Sequence, residues 1–393
     1  MFSIRYATVL FVLIFSFSAS AQVLTLDFVL KDSKFILLKL PVENSADSLT
    51  VFFDTGATNS LIDTSVAKKY GLKSNYSQKV AGAGGEKTYE ILTGYTLKLS
   101  DNISINGVNL IFEDITRLRS TLGENFDMIV GNDILKNYLT EISFKERKIR
   151  LYPFGTEVKK VGFTKIDFEF GNGIAIPQFP VQIRTENGET FQDTVLFDSG
   201  AGLSLLINTP FNQTHDVVSK MGKTTSNTLN NLSKKSVSTD GILENISFSK
   251  FSFNRVPVTV SSDTEGVSGY KGYLGILGAV IINRFDIILD YQKKELYLKP
   301  NYLFNDGFEL PNPVKLIRSE GKIIISEVNP ESVAYRKGLR SGQEIISVNN
   351  TESNDIFFYR NALRQFGKKV KLKIADPEGS VRTVKFKAQS LLK

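Results

Sequence analysis

Within its 393 residues the chain has no cysteine, no tryptophan, three methionines and a single histidine. Without cysteine there is no disulfide, no iron–sulfur cluster, no thiol nucleophile and no lipid-modified N-terminal Cys. With His215 as the lone imidazole, no His- or Cys-rich zinc site can be assembled. A Ser-His-Asp triad would have to use His215, which lies in the polar stretch NQTHDVV and reads as an exposed surface residue. No G-x-S-x-G elbow precedes a helix. Long apolar runs are missing too. The longest, Ala7 to Phe17, is well short of the ~20 residues a spanning helix needs. Chemistry is left to carboxylates, hydroxyls, Lys or Tyr, with no cofactor or metal implied.

That one apolar run sits in MFSIRYATVLFVLIFSFSASAQ, behind Arg5 and ahead of the small residues Ala19-Ser20-Ala21. This is the layout of a secretory signal peptide, residues 1–21, removed on export. The expectation is a protein of the bacterial periplasm or cell envelope, or a secreted one, with no stable membrane span after cleavage. Little chain separates Gln22 from the first strand, so no long propeptide is expected. The formal charge is +7, but basic and acidic residues are interspersed. That reads as a solvated surface rather than a nucleic-acid footprint. At 41% apolar and 23% charged, the composition is that of a globular chain, and its length predicts two or three domains.

One short phrase is written twice: FDTGATNSLI at Phe53–Ile62 and LFDSGAGLSLLI at Leu196–Ile207. The surroundings repeat as well. Each copy is preceded by an Asp-Phe (Asp27-Phe28, Asp167-Phe168), a Pro-Val (Pro41-Val42, Pro180-Val181) and a polar turn leading into an apolar strand. Each is followed by an apolar pair and a glycine, Ile129-Val130-Gly131 and Ile276-Leu277-Gly278, then a short helix-like segment and a hairpin with a charged turn. Gly131 comes 77 positions after Asp54, and Gly278 comes 80 after Asp198. Alternation and β-branched content make these strands and hairpins. The two halves read as duplicated β-rich lobes.

If the lobes pack about a pseudo-twofold axis, Asp54 and Asp198 face each other. Two carboxylates a few ångströms apart cannot both ionise cheaply, so they share a proton. The charged one can take a proton from water and the neutral one can donate to a carbonyl oxygen, which hydrolyses an amide without metal or covalent intermediate. Gly56 and Gly200 permit tight loops whose N–H groups reach the carboxylates. Thr55 and Ser199 can hydrogen-bond across the twofold. The apolar runs Val51-Phe52-Phe53 and Val195-Leu196-Phe197 exclude water beneath.

The two D-[TS]-G-A loops, each with its apolar-apolar-Gly partner, resemble those of retropepsin-like and pepsin-like aspartic proteases over about residues 24–300. That resemblance implies a β-hairpin flap over the substrate, assigned to KVAGAGGEKTYEI with Gly82, Gly84 and Gly85 at its tip. The same stretch lacks the spacing of a phosphate-binding loop. The corresponding segment of the second half, GKTTSNTLNNLSKKSVST, is polar without a glycine tip, so a single flap is expected. Pepsin-like enzymes often place Ser or Thr after the triplet, where a hydroxyl favours the ionised acid. Ala57 and Ala201 stand there instead, which predicts higher pKa values and an optimum nearer neutral.

Beyond LPNPVK, whose prolines suit a linker, AYRKGLRSGQEIISVNN at Ala334–Asn350 resembles a bacterial PDZ domain, with Gln343 where Asp is usual. Such domains bind an extended peptide as an added strand, often by its C-terminus. No N-terminal carboxylate-binding loop is recognisable. The predicted fold is mainly β: two duplicated aspartic-protease-type lobes, each a closed or partly closed barrel, plus a small α+β PDZ domain. Expected boundaries are 22–155 and 156–302 for the lobes, 303–312 for the linker and 313–390 for the PDZ domain. The expected function is an exported aspartic endopeptidase acting on polypeptides, with a PDZ domain for substrate or partner peptides. One chain supplies both acids, so a monomer suffices for activity. The alternative is a catalytically silent peptide-binding scaffold. A carboxylate-pair glycosidase fits poorly, since its acids sit at unequal sites and the chain has no Trp platform.

Overall fold

The computed structural model describes residues 24–82, 85–171, 173–230 and 235–392. The expected signal peptide therefore lies outside the described residues. Both halves are built from the same sheet weave. In the first, strand Ser48–Phe53 runs parallel to Met128–Val130, which pairs antiparallel with Ser60–Asp63, which runs parallel to Ser104–Glu113. In the second, Thr190–Asp198 runs parallel to Gly275–Gly278, then antiparallel to Leu205–Ile207, then parallel to Phe251–Ser261. Strands in parallel pairing are buried on both faces, which is why the two strands leading to the acids read as unbroken apolar runs. Val51 and Phe53 point into the main core, whereas Phe52 points the other way into a separate cluster with Phe35, Tyr89 and Phe126. Val195 and Phe197 likewise face the main core, and Leu196 faces a cluster with Tyr273 and Ile276.

A run of antiparallel strands stitches the halves together, in the order Thr164–Asp167, Glu295–Pro300, Phe285–Asp290, Leu139–Ser143, Lys148–Tyr152, Leu24–Lys31. The crossing point is the pairing of Thr140, Glu141 and Ile142 with Leu289, Ile288 and Ile287. Buried side chains of both halves consequently form one continuous core. These are the two β lobes expected from the repeat.

The third unit has its own core and its own five-stranded sheet, in the order Val314–Ser319, Lys322–Val328, Glu344–Val348, Lys369–Ala375, Val381–Lys387. Helix Ile356–Arg364 is started by Asp355, whose carboxylate accepts from the Phe357 N–H at 2.9 Å. Its Ile356, Tyr359 and Leu363 are buried against the sheet. The departure at Gln343 is absorbed locally. Its oxygen accepts from the Arg340 N–H at 2.8 Å and its amide donates to Asp376 at 2.7 Å, the second of which a carboxylate could not do.

Residues 303–312, expected as a linker, are irregular but held down. The Arg284 guanidinium donates to the carbonyls of Leu303, Phe304 and Asp306 at 3.2, 3.0 and 2.6 Å. Phe304 and Phe308 pack on Phe253 at 5.3 and 6.0 Å between centroids. His215 corrects another expectation. It is half-buried rather than exposed, because its ring packs on Phe211 at 4.5 Å and Phe191 at 5.1 Å.

Candidate active site

Asp54 closes the strand Ser48–Phe53, and its N–H donates to the Val130 carbonyl at 2.9 Å. Asp198 ends its own strand in register with Gly278. The two apolar-apolar-Gly segments therefore pass directly beside the acid loops, and each glycine is there for want of room. A Cβ on Gly131 would overlap the Asp54 carbonyl oxygen, and one on Gly278 would overlap the carbonyls of Leu203 and Ala201.

The loops meet tip to tip. A Cβ on Gly56 would overlap the carboxyl of Asp198, and one on Gly200 would overlap the carboxyl of Asp54. Neither glycine has a positive φ, so close approach to the opposite acid, rather than backbone conformation, is the constraint. Hydrogen bonds lock the meeting beneath. The Thr55 hydroxyl donates to the Phe197 carbonyl at 2.8 Å and accepts from the Ser199 N–H at 2.9 Å. Reciprocally, the Thr55 N–H donates to the Ser199 hydroxyl at 3.0 Å. Thr55 and Ser199 are buried, so these bonds face no competition from water.

Four backbone N–H contacts reach the acids. Gly56 donates to Asp54 at 2.7 Å, Ala201 donates to Asp198 at 3.0 Å, and Gly200 donates to both, at 3.1 Å to Asp54 and 2.8 Å to Asp198. Burial pushes both carboxyls above the usual range. At Asp54 the charge of Asp198 adds to the rise, which is large. At Asp198 the hydrogen bond from Asp54 and the N–H groups of Gly200 and Ala201 offset part of it. Two buried carboxyls this close cannot both ionise cheaply, so the pair holds one proton between them. Among the described residues, no group of three or more His, Cys, Asp or Glu side chains is placed to hold a metal ion.

Gly82 and Gly85 pair across the end of a hairpin formed by strands Tyr76–Gly82 and Gly85–Lys98. Gly84 lies outside the described residues. The hairpin's first strand runs beside the 3-10 turn Gly266–Gly269 of the second lobe, so it spans from one lobe to the other. On the second strand, Tyr89 and Ile91 join Phe35, Phe52 and Phe126 in an apolar wall, against which Ala57 of the acid loop packs. The polar stretch that corresponds to this hairpin in the second lobe also forms a hairpin, and that one packs on the PDZ domain, where the Asn329 amide donates to the Ser226 carbonyl at 3.0 Å. Strands Thr225–Asn230 and Lys235–Phe248 form the matching hairpin of the second lobe, with residues 231–234 outside the described ones. Its first strand is Thr, Ser and Asn apart from Leu229, which leaves little apolar alternation for pattern reading to register.

One residue escaped the sequence reading altogether. Tyr291 is buried against Phe168 and Phe170 at 5.7 and 5.2 Å, and its hydroxyl has no hydrogen-bond partner among the described residues. Burial and the charge of Asp54 both push its phenol up, which marks it as a neighbour of the acid pair. Nothing in DYQKKE distinguishes it from any turn tyrosine.

Comparison with known families agrees with this architecture. A model of the aspartyl protease family matches residues 41–134, which include the Asp54 loop, the first hairpin and Gly131. A PDZ domain model matches residues 324–376. No curated protein matches the chain. The aspartyl protease match thus falls within the first lobe, whose sheet weave the second lobe repeats, and the PDZ match falls within the C-terminal unit.

Proposed function

We propose that the protein is an aspartic endopeptidase. The observation that carries the reading is the pair of glycine contacts: each loop gives up its side chain so that the acid of the other can approach. A structural Asx turn needs no such reciprocity. In the proposed reaction Asp198 takes a proton from a water molecule, which attacks the scissile carbonyl carbon while Asp54 gives its proton to the carbonyl oxygen. The resulting diol collapses as a proton passes to the amide nitrogen, breaking the C–N bond and returning one proton to the pair. Asp54 and Asp198 are the catalytic residues. Thr55, Gly56, Ser199 and Gly200 position them, and the hairpin carrying Gly82 and Gly85 covers the substrate.

Around this core we place export through residues 1–21, function as a monomer, and a PDZ domain that receives substrate or partner peptides. Lobes at 22–155 and 156–302 with a PDZ domain at 313–390 complete the proposed organisation. Among the described residues no helix is long and apolar enough to cross a membrane. The test is cleavage of a diverse peptide library by residues 22–393, against Asp54→Asn and Asp198→Asn, between about pH 3 and pH 8. Loss of cleavage in both variants and with pepstatin-type inhibitors supports the shared dyad. Turnover surviving both substitutions overturns it, and peptide binding without cleavage at any pH would favour the silent scaffold.

A further inference from the structure

Helix Thr116–Leu122 of the first lobe ends against the PDZ domain. The last carbonyls of a helix have no partner within it. Here the Arg360 guanidinium supplies donors to two of them, at 2.6 Å to Thr121 and 3.0 Å to Leu122. A cation at this end also complements the negative pole of the helix. Gly123, in the left-handed conformation that stops the helix, lies against Ile356, close enough that a Cβ would overlap that side chain.

Ile356 and Arg360 belong to the helix Ile356–Arg364, and the strand beside it is Val314–Ser319, the edge strand of the domain's sheet. An unpaired edge offers its carbonyls and N–H groups to any chain that can add to it. The carbonyls of Leu316 and Arg318, two residues apart and so on one side of the strand, are already taken. Leu316 accepts from Arg360 at 2.8 Å, and Arg318 accepts from the Ser120 hydroxyl at 2.5 Å. The Arg318 end of the strand–helix groove is therefore covered by Ser120 and its helix, while Leu316, Phe357 and Arg364 line an open cavity beside it.

We propose that residues 116–123 of the first lobe are a built-in occupant of this groove, and that an extended peptide adding to Val314–Ser319 must first displace them. The proposal rests on the reading that the PDZ domain takes peptides. Displacement would reach the active site by direct contact. Leu118 and Leu122, on the inward face of the same helix, pack on the apolar wall formed by Phe35, Phe52, Tyr89 and Phe126 beside the acid loop and the hairpin. Arg119 ties the helix to Asp63 at 3.2 Å and to the Phe126 carbonyl at 2.6 Å, just ahead of the strand that pairs with the Asp54 strand. A peptide that frees the groove acts on the wall of the cleft by the difference in its affinity for the closed and open forms.

The absence of cysteine makes the test direct. A Cβ built on Gly123 lies 3.5 Å from the Cβ of Ile356, within disulfide reach. Gly123→Cys/Ile356→Cys in the full chain, with Asp54→Asn to prevent hydrolysis, would be probed with a library of fluorescent decapeptides, oxidised and then reduced. The proposal expects binding in the reduced form and loss of at least about tenfold in affinity on oxidation. Equal binding in both states overturns the occlusion while leaving peptide binding intact. Binding in neither state overturns the peptide-binding reading, and the proposal with it. Ser120→Lys guards against misfolding of the double variant, because it alters only the lobe side of the contact. It should bind peptide about tenfold more tightly than the native residue, as when a groove open about a tenth of the time is held open. Unchanged affinity would refute the inference.

Discussion

Gly200 lies so close to the Asp54 carboxyl that no side chain fits between them, and its N–H bridges that carboxyl and its own neighbour Asp198. One backbone group thus holds the two acids at a common distance. Gly200→Ala should cut kcat by about 100-fold or more by forcing the loops apart, with KM changed less. Gly202→Ala is the comparison: its Cβ would meet the ring of Phe35 rather than an acid, so stability should suffer more than rate. Steady-state kinetics beside thermal melts separate the two effects.

Ala201 presents only its N–H to Asp198. Ala201→Ser adds a hydroxyl that favours the ionised acid, so the acidic limb of the pH–rate profile should move down by about one unit. A profile that stays in place would show that the hydroxyl does not reach the carboxylate.

Asp240 supplies a pH dependence of the opposite kind to most carboxylates. Burial pushes it up to about 6, despite hydrogen bonds from Thr259 and Asn227 and the charge of Lys315, with Glu327 pushing the same way as burial. The folded state therefore binds more protons here than the unfolded chain. Its contribution is full below the ordinary value of 3.8 and is lost as pH rises through about 6, by about 3 kcal/mol. Asp240→Asn should flatten that decline, as read from urea midpoints on either side of the window.

Asp32 behaves the other way. Burial pushes its pKa up, but the charges of Lys34 and Arg364 outweigh that and hold it below 3.8. The stability it gives is present above 3.8 and is lost as pH falls through the lowered value. Arg364 reaches it from the PDZ domain at 3.1 and 3.4 Å. Arg364→Ala should cost about 3 kcal/mol by leaving a buried carboxylate short of a partner, and should speed proteolysis within 303–312. An unchanged digestion rate would mean that the ion pair does not hold the domain in place.

The acid loops, their glycines and the duplication were legible because each is a local pattern repeated in register. Gly131 and Gly278 could be singled out by spacing alone, although only the structure shows which carbonyls exclude a side chain there. The pairing of the second hairpin was not legible, since Thr225–Asn230 is polar apart from Leu229 and its pairing depends on what packs around it. Tyr291 and the contacts of Arg360 were hidden for a different reason. A buried phenol near Asp54, or a guanidinium on a helix end 238 residues away, is a product of tertiary placement that no sequence window contains.

The grip of Arg284 on the carbonyls of Leu303, Phe304 and Asp306 has a consequence for concentration. With that stretch fixed to the second lobe, only a few residues remain between the clasp and Val314, so the PDZ groove cannot wander from the first lobe. A short tether of this kind presents the internal segment at an effective concentration on the order of millimolar. Under the proposed occlusion, a free peptide at micromolar levels would enter only by binding correspondingly better, about a thousandfold, than the segment it replaces. The clasp would then set a threshold: weak and common sequences would be ignored, and only a well-matched or locally abundant one registered.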